Sequence, residues 1–258
     1  MSNFFEYKNI QVNYSSIGKG SVIVLLHGFL ENSSMWKGLL PLLSKKNRII
    51  TIDLLGHGKT ENLSYIHTME EQANMVNYVL TKLKLRKFNF VGHSMGGYVA
   101  LAFAVLFPEK TKSICLLNST AYSDSNEKKA SRDRAIKAVK QNYKTFIRIS
   151  IPMLFSEQNR DELKPKIDRV TSEALKTSKQ GVIAALEGMK IRHDYTSLLS
   201  NDKIKIVLIL GEKDTVLDFN THIQQIKNTN IKWHKIKHGH MSHIEAKEDV
   251  VSIIKKFR

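Results

Sequence analysis

The chain has 258 residues, 42% of them apolar, which suits one large domain with a sizeable core. A single cysteine, Cys115, excludes an intramolecular disulfide, and no apolar run is long enough to span a membrane. The net charge of +16 comes from basic residues scattered along the chain with no nucleic-acid-binding motif, so it reads as a solvated surface rather than a nucleic-acid interface.

No basic region followed by an apolar stretch opens the chain, so no signal peptide is expected and a soluble cytoplasmic protein is the default. Phe4 to Tyr7 and Val12 to Ser15 suit an opening pair of strands. Val22-Ile23-Val24-Leu25-Leu26 is a continuous apolar run, the mark of a strand buried on both faces. It ends in His27-Gly28-Phe29. Trp36, Leu39, Leu40 and Leu43 follow at helical spacing, and residues 48–53 form a second buried strand. Thr68 to Glu71 reads as a capping box, and Met69, Ala73, Val76, Leu80 and Leu83 give the next helix one apolar face.

Residues 88–91 are a strand that runs into Gly92-His93-Ser94-Met95-Gly96-Gly97, and a helical run starts at once. A serine between glycines at a strand–helix turn is a nucleophile elbow. Residues 112–117 form another strand. From about Tyr122 to Asp194 no strand-like run occurs, and four helical segments are expected, with a kink at Pro152. The strand pattern resumes at residues 204–210 and 231–236, and Val250, Val251, Ile254 and Phe257 mark a final helix. This alternation predicts an α/β fold, a mostly parallel sheet with helices on both faces, and a helical insertion. Residues 1–119 and 197–258 are assigned to the core, and 120–196 to a helical cap.

A serine hydroxyl needs a base, and the base needs a carboxylate. On this topology they follow in the order Ser, Asp or Glu, His, at the ends of later strands. Asp214 follows the 204–210 strand. His238, His240 and His243 all lie after the last strand, and His240 is preferred for its preceding glycine. The oxyanion donors are expected from the backbone of Met95 and Phe29. Tyr98, Phe146, Met153, Phe155 and Met189 are candidates to contact substrate; Arg148 and Arg192 could meet a substrate carboxylate, but a surface role is favoured for both. Two other patterns compete. Gly58-Lys59-Thr60 ends like a phosphate-binding loop, but Asp53 stands where its first glycine belongs. His238, His240 and His243 have a spacing that suits zinc, but a metal would leave the elbow unexplained. No metal and no cofactor are expected.

With Leu26-His27-Gly28-Phe29, Asp53-Leu54-Leu55-Gly56-His57-Gly58, the elbow, Gly211-Glu212-Lys213-Asp214 and Gly239-His240, the chain resembles the α/β-hydrolase superfamily over nearly its whole length. The resemblance implies an eight-stranded sheet, a cap inserted after the sixth strand, His240 as the base and a structural His57. The chain looks like small bacterial carboxylesterases, so a small-molecule ester is the expected substrate. The resemblance extends to C–C bond hydrolases and to the SHCHC-synthase lyase. That lyase carries arginine directly after the S-x-G-G run, where this chain has Tyr98. A non-catalytic ligand receptor on the same fold is the remaining alternative.

Overall fold

The computed structural model describes residues 2–257. Eight strands form one sheet: β1 (Asn3–Tyr7), β2 (Ile10–Ile17), β3 (Ser21–Leu26), β4 (Asn47–Ile52), β5 (Phe88–His93), β6 (Thr111–Leu117), β7 (Lys205–Gly211) and β8 (Lys232–Ile236). Their order is β1-β2-β4-β3-β5-β6-β7-β8. The β1–β2 and β2–β4 pairs are antiparallel, and every other pair is parallel.

Alternation along the central strands explains why they are apolar throughout. Successive side chains point to opposite faces. In β3, Val24 and Leu26 enter one apolar cluster while Ile23 and Leu25 enter another across the sheet. The first cluster takes α2 (Met69–Lys82) and α3 (Met95–Leu106). The second takes α1 (Leu40–Leu43) and α9 (Lys247–Lys256). Trp36 was expected to open a helix with Leu43. It lies instead in a 3-10 turn, Ser33–Gly38, that ends before the single turn of α1. The capping box is half formed. Thr68 accepts from the Glu71 backbone N–H, but the Glu71 carboxylate turns away to Tyr7 and Lys8.

Between β6 and β7 lie α4 (Asn126–Met153), α5 (Lys164–Ala174) and α6 (Lys179–Lys190). The short α7 (Phe219–Ile223) and α8 (Ser242–Glu245) complete the set. The expected kink at Pro152 is corrected: α4 breaks at Asn142, where φ is −147° and ψ is 86°. The Asn142 side chain accepts from the Thr145 backbone N–H, so it caps the second half of the helix. Pro152 lies in the last turn, close to where the helix ends anyway. Ile136, Val139, Ile147 and Ile151 join the apolar cluster of the core, so the inserted helices pack directly on the sheet domain. Among the described residues no helix is long and apolar enough to cross a membrane.

Candidate active site

Parallel strands end together. Leu26 pairs with Gly92, His93 with Leu117, Leu117 with Ile209, and Gly211 with Ile236. The loops after β3, β5, β6, β7 and β8 therefore meet at one edge of the sheet. That edge holds the candidate site.

Ser94 is the turn between β5 and α3, with φ 49° and ψ −115°. This left-handed conformation is strained for a residue with a Cβ. Close packing holds it there. A Cβ on Gly92 would meet Gly96 O at 2.4 Å, and one on Gly96 would meet Leu26 O at 2.3 Å. The Ser94 N–H donates to Leu117 O at 3.0 Å, and its carbonyl accepts from Ser119 Oγ at 2.8 Å. Met95 is the first residue of α3, so its N–H has no acceptor within the helix.

Asp214 and His240 are joined by a 2.7 Å hydrogen bond from Nδ1 to Oδ2. Oδ1 of Asp214 accepts from the N–H groups of Val216 (2.8 Å) and Leu217 (2.9 Å). Burial disfavours the Asp214 charge, but His240 and these donors outweigh it and hold the carboxyl below its usual range. Asn118 is a further residue of the site that the sequence analysis does not single out. It occupies the end of β6, and its amide donates to Asp214 Oδ2 at 3.0 Å and to Gly239 O at 3.2 Å. Its place directly after a central strand, at the same sheet edge as Ser94, is the signal that could have found it.

Glu31 and His93 were also missed. Glu31 Oε2 accepts from the Gly28 N–H at 2.8 Å and from His93 Nδ1 at 2.6 Å. His93 Nε2 donates to His240 O at 2.9 Å. One buried pair thus ties the Phe29 loop, the Ser94 turn and the His240 loop together. Burial opposes both charges, yet each partner stabilises the other. His93 is raised and Glu31 is lowered to about 2, so the pair is an imidazolium and a carboxylate. Breaking such a pair by removing one partner typically costs about 3–5 kcal/mol.

The three histidines with metal-like spacing do not converge. His238 accepts from Asn159, His240 holds Asp214, and His243 lies 3.5 Å from Glu31 Oε1. Glu31, His93 and His243 are the trio that gathers. Within it the 2.6 Å separation of His93 from Glu31 is that of a charge-assisted hydrogen bond. Lys59 serves no phosphate loop here. Its N–H donates to Asp53 and its amine to Ser2.

His27, His57 and His67 support the loops beside Phe29. His27 Nε2 accepts from the Leu54 N–H at 2.8 Å, and the His57 ring lies against the edge of Phe29. Burial lowers all three and His243. His57 and His243 fall to about 3 and His67 to about 4. A consequence for stability follows. Below the unfolded value of about 6.5 the unfolded chain takes up protons that the fold refuses, so stability falls with pH. Each such histidine contributes a slope of about 1.4 kcal/mol per pH unit until its folded value is reached. The His93–Glu31 pair is unaffected between about pH 6.5 and 4.5. Urea midpoints are expected to drop steeply from pH 7 to pH 5. A flat profile would mean that these histidines titrate in the folded protein.

Ser94 and His240 face a cavity of about 200 Å³ roofed by α4 and α6. Of the expected substrate contacts, Tyr98, Phe146 and Met189 line it, as does Phe29. Met153 and Phe155 do not, which corrects the expectation. Met153 is 50% exposed on the outer side of α4, and Phe155 is wholly buried in the packing below the helix end. Arg192 is not a surface residue either. It is buried against Asp124 (2.5 Å), with its guanidinium 4.1 Å from the centre of the Tyr98 ring. A wider groove between the Leu30–Gly38 loop and α5, about 360 Å³, does not include Ser94.

Residues 21–247 match the family model described as the alpha/beta hydrolase fold. The chain belongs to the α/β-hydrolase family. An uncharacterized Mycobacterium tuberculosis protein is 34% identical over 40% of this chain, and that match spans 30% of its own length. A putative 2-succinyl-6-hydroxy-2,4-cyclohexadiene-1-carboxylate synthase of Bacillus subtilis is 27% identical, covering 91% of this chain and 89% of the relative. Among solved structures, a thermophilic esterase from Thermogutta terrifontis, with malate bound, superposes with a TM-score of 0.88 at 27% identity, covering 99% of this chain and 97% of that one. This α/β hydrolase shares its eight-stranded, mostly parallel sheet and helical insertion with that fold.

Proposed function

We propose that the chain is a serine carboxylesterase acting on a small-molecule ester. Ser94 is the nucleophile, His240 the general base and Asp214 the residue that orients it. The observation that carries this reading is the 2.7 Å His240–Asp214 hydrogen bond behind a strained serine at a helix N-terminus, with Ser94 and His240 facing one cavity.

Asp214 holds the proton on Nδ1, which leaves His240 Nε2 free to accept. As Ser94 Oγ attacks the ester carbonyl, its proton passes to Nε2. The oxyanion that forms is stabilised by the N–H groups of Met95 and Phe29, worth about 3–4 kcal/mol each in the transition state. The imidazolium then protonates the leaving alcohol. Water enters, gives its proton to His240 and releases the acid from Ser94. Residues 120–196 act as the cap, closing the cavity from above and supplying Phe146 and Met189 to the acyl pocket.

A fluorophosphonate probe is expected to label Ser94, identified by mass spectrometry of the tryptic peptide, with labelling blocked by a short aryl ester. A protein that stays unlabelled and turns over no acyl ester would sink the reading. The name of the Bacillus relative favours a second reading, elimination at a carbon centre with the same residues. A vinylogous diketone acid turned over in the absence of esterase activity would establish it.

A further inference from the structure

The first turns of α4 bring unusual charge to the cavity. Lys128 and Arg132 are four residues apart, so they share one face of the helix. Both line the cavity that Ser94 and His240 face. The anions near them are few. Arg132 is bonded to Asp124 through Nε and Nη2, and Asp124 is shared with Arg192. One carboxylate therefore serves two guanidinium groups. Lys128 has no carboxylate partner among the described residues, and its amine donates to Val216 O at 3.1 Å.

The other charged groups facing the cavity are already paired. Glu31 holds His93, and Asp214 holds His240. Further acids, Glu127, Asp194 and Asp218, line only the outer cleft that continues past Tyr98 and Ser131. Lys128, Arg132 and Arg192 thus share the one carboxylate of Asp124, which lies in the outer cleft, and the first two bring their charge to the inner wall. Burying such charge is unfavourable unless an anion accompanies it. Burial, Arg132 and Arg192 lower Lys128, and the nearby charges of Asp124 and Asp214 offset them only in part. The remaining polar groups there, Ser131 and Ser150, are hydroxyls able to donate to an anion.

We propose that Lys128 and Arg132 form a carboxylate subsite, so that the substrate is an ester that also carries a free carboxylate. The proposal rests on the esterase reading. Lys128 contributes an unspent point charge. Arg132 contributes the outer N–H groups that Asp124 does not use, in a rigid fork that Asp124 aims. The ester carbonyl then lies at Ser94 while the carboxylate is held under α4.

The test compares 4-nitrophenyl hydrogen adipate with 4-nitrophenyl methyl adipate, which share the reacting ester and differ only at the remote end, a carboxylate in one and its methyl ester in the other. At low salt kcat/KM is expected to favour the acid at least about 10-fold, as for one charge-assisted hydrogen bond made in a partly buried site. The ratio is expected to fall toward one in Lys128→Gln and Lys128→Met, and to shrink in about 0.5 M NaCl. A ratio of one or less in the wild type overturns the proposal, and so does a ratio that both variants leave unchanged while remaining folded by circular dichroism. Hydrolysis of the methyl ester with no preference for the acid overturns the subsite alone. If neither ester reacts and Ser94 resists a fluorophosphonate, the esterase reading falls. Calorimetric titration of Ser94→Ala with the two compounds then decides the subsite. Tighter binding of the acid supports it, and equal binding overturns it.

Discussion

Replacing Ser94 by alanine is expected to lower kcat for short aryl esters by about 10⁴-fold or more, to the level that binding and the oxyanion donors sustain alone. KM is expected to change little, because the hydroxyl is needed mainly in the transition state. The companion variant Ser94→Gly separates chemistry from strain. At φ 49° and ψ −115° a side chain is unfavourable, and glycine removes that cost. Ser94→Gly is therefore expected to be equally inactive but more stable than the wild type by about 1–3 kcal/mol in urea unfolding. Alanine keeps the Cβ and is expected to stay close to wild type in stability. If Ser94→Gly shows no gain, the strain is carried elsewhere in the turn. A variant that keeps more than a tenth of wild-type kcat would remove Ser94 from the mechanism.

The second large effect is expected for Asp214→Asn, a loss of about 10⁴-fold in kcat with the fold intact. The argument is one of hydrogen-bond supply. Oδ1 of Asp214 accepts two backbone N–H groups, from Val216 and Leu217. An asparagine has one oxygen, and those two donors hold it in that place. Its amide NH₂ then faces His240 Nδ1, which must become the acceptor. The ring proton moves to Nε2, and His240 can no longer take a proton from Ser94. The Asn118 amide, 3.0 Å from Oδ2, meets a second donor and adds to the conflict. Steady-state kinetics on the purified variant, with its thermal midpoint as a control, check the prediction. A loss below about tenfold would show that Asp214 does not set the tautomer.

Much of this arrangement was legible before any coordinates. The central strands announce themselves because both faces are buried, so every position is apolar. The elbow is legible because crowding permits only glycine at positions 92 and 96. Asp214 and His240 follow from chain order and strand ends. What was illegible depends on register between distant segments. Glu31 and His93 lie 62 residues apart and meet only because β3 and β5 are neighbours. Nothing in either local sequence marks them. Asn118 is illegible for a similar reason, since its amide matters only as a donor to Asp214, 96 residues away in the chain. Met153 and Phe155 share the apolar character of Phe146, but the helix ends between them and turns one outward and the other inward. Arg192 read as solvated, and only the fold reveals that Asp124 and the Tyr98 ring enclose it.

The far end of α4 has a bearing on how this α/β hydrolase can be altered. Leu154 O accepts the N–H of His240 at 3.0 Å, and Met153 O accepts from Thr215 Oγ1 at 2.6 Å. Glu245, beside the base loop, binds the Ser156 N–H at 3.2 Å and the Asn159 amide at 2.9 Å. The insertion is therefore not a detachable module. Grafting a relative's helices in its place would exchange specificity cleanly only if the graft stops short of residues 153–159. A graft that replaces them would disturb the hydrogen bonds that hold the loops of Asp214 and His240.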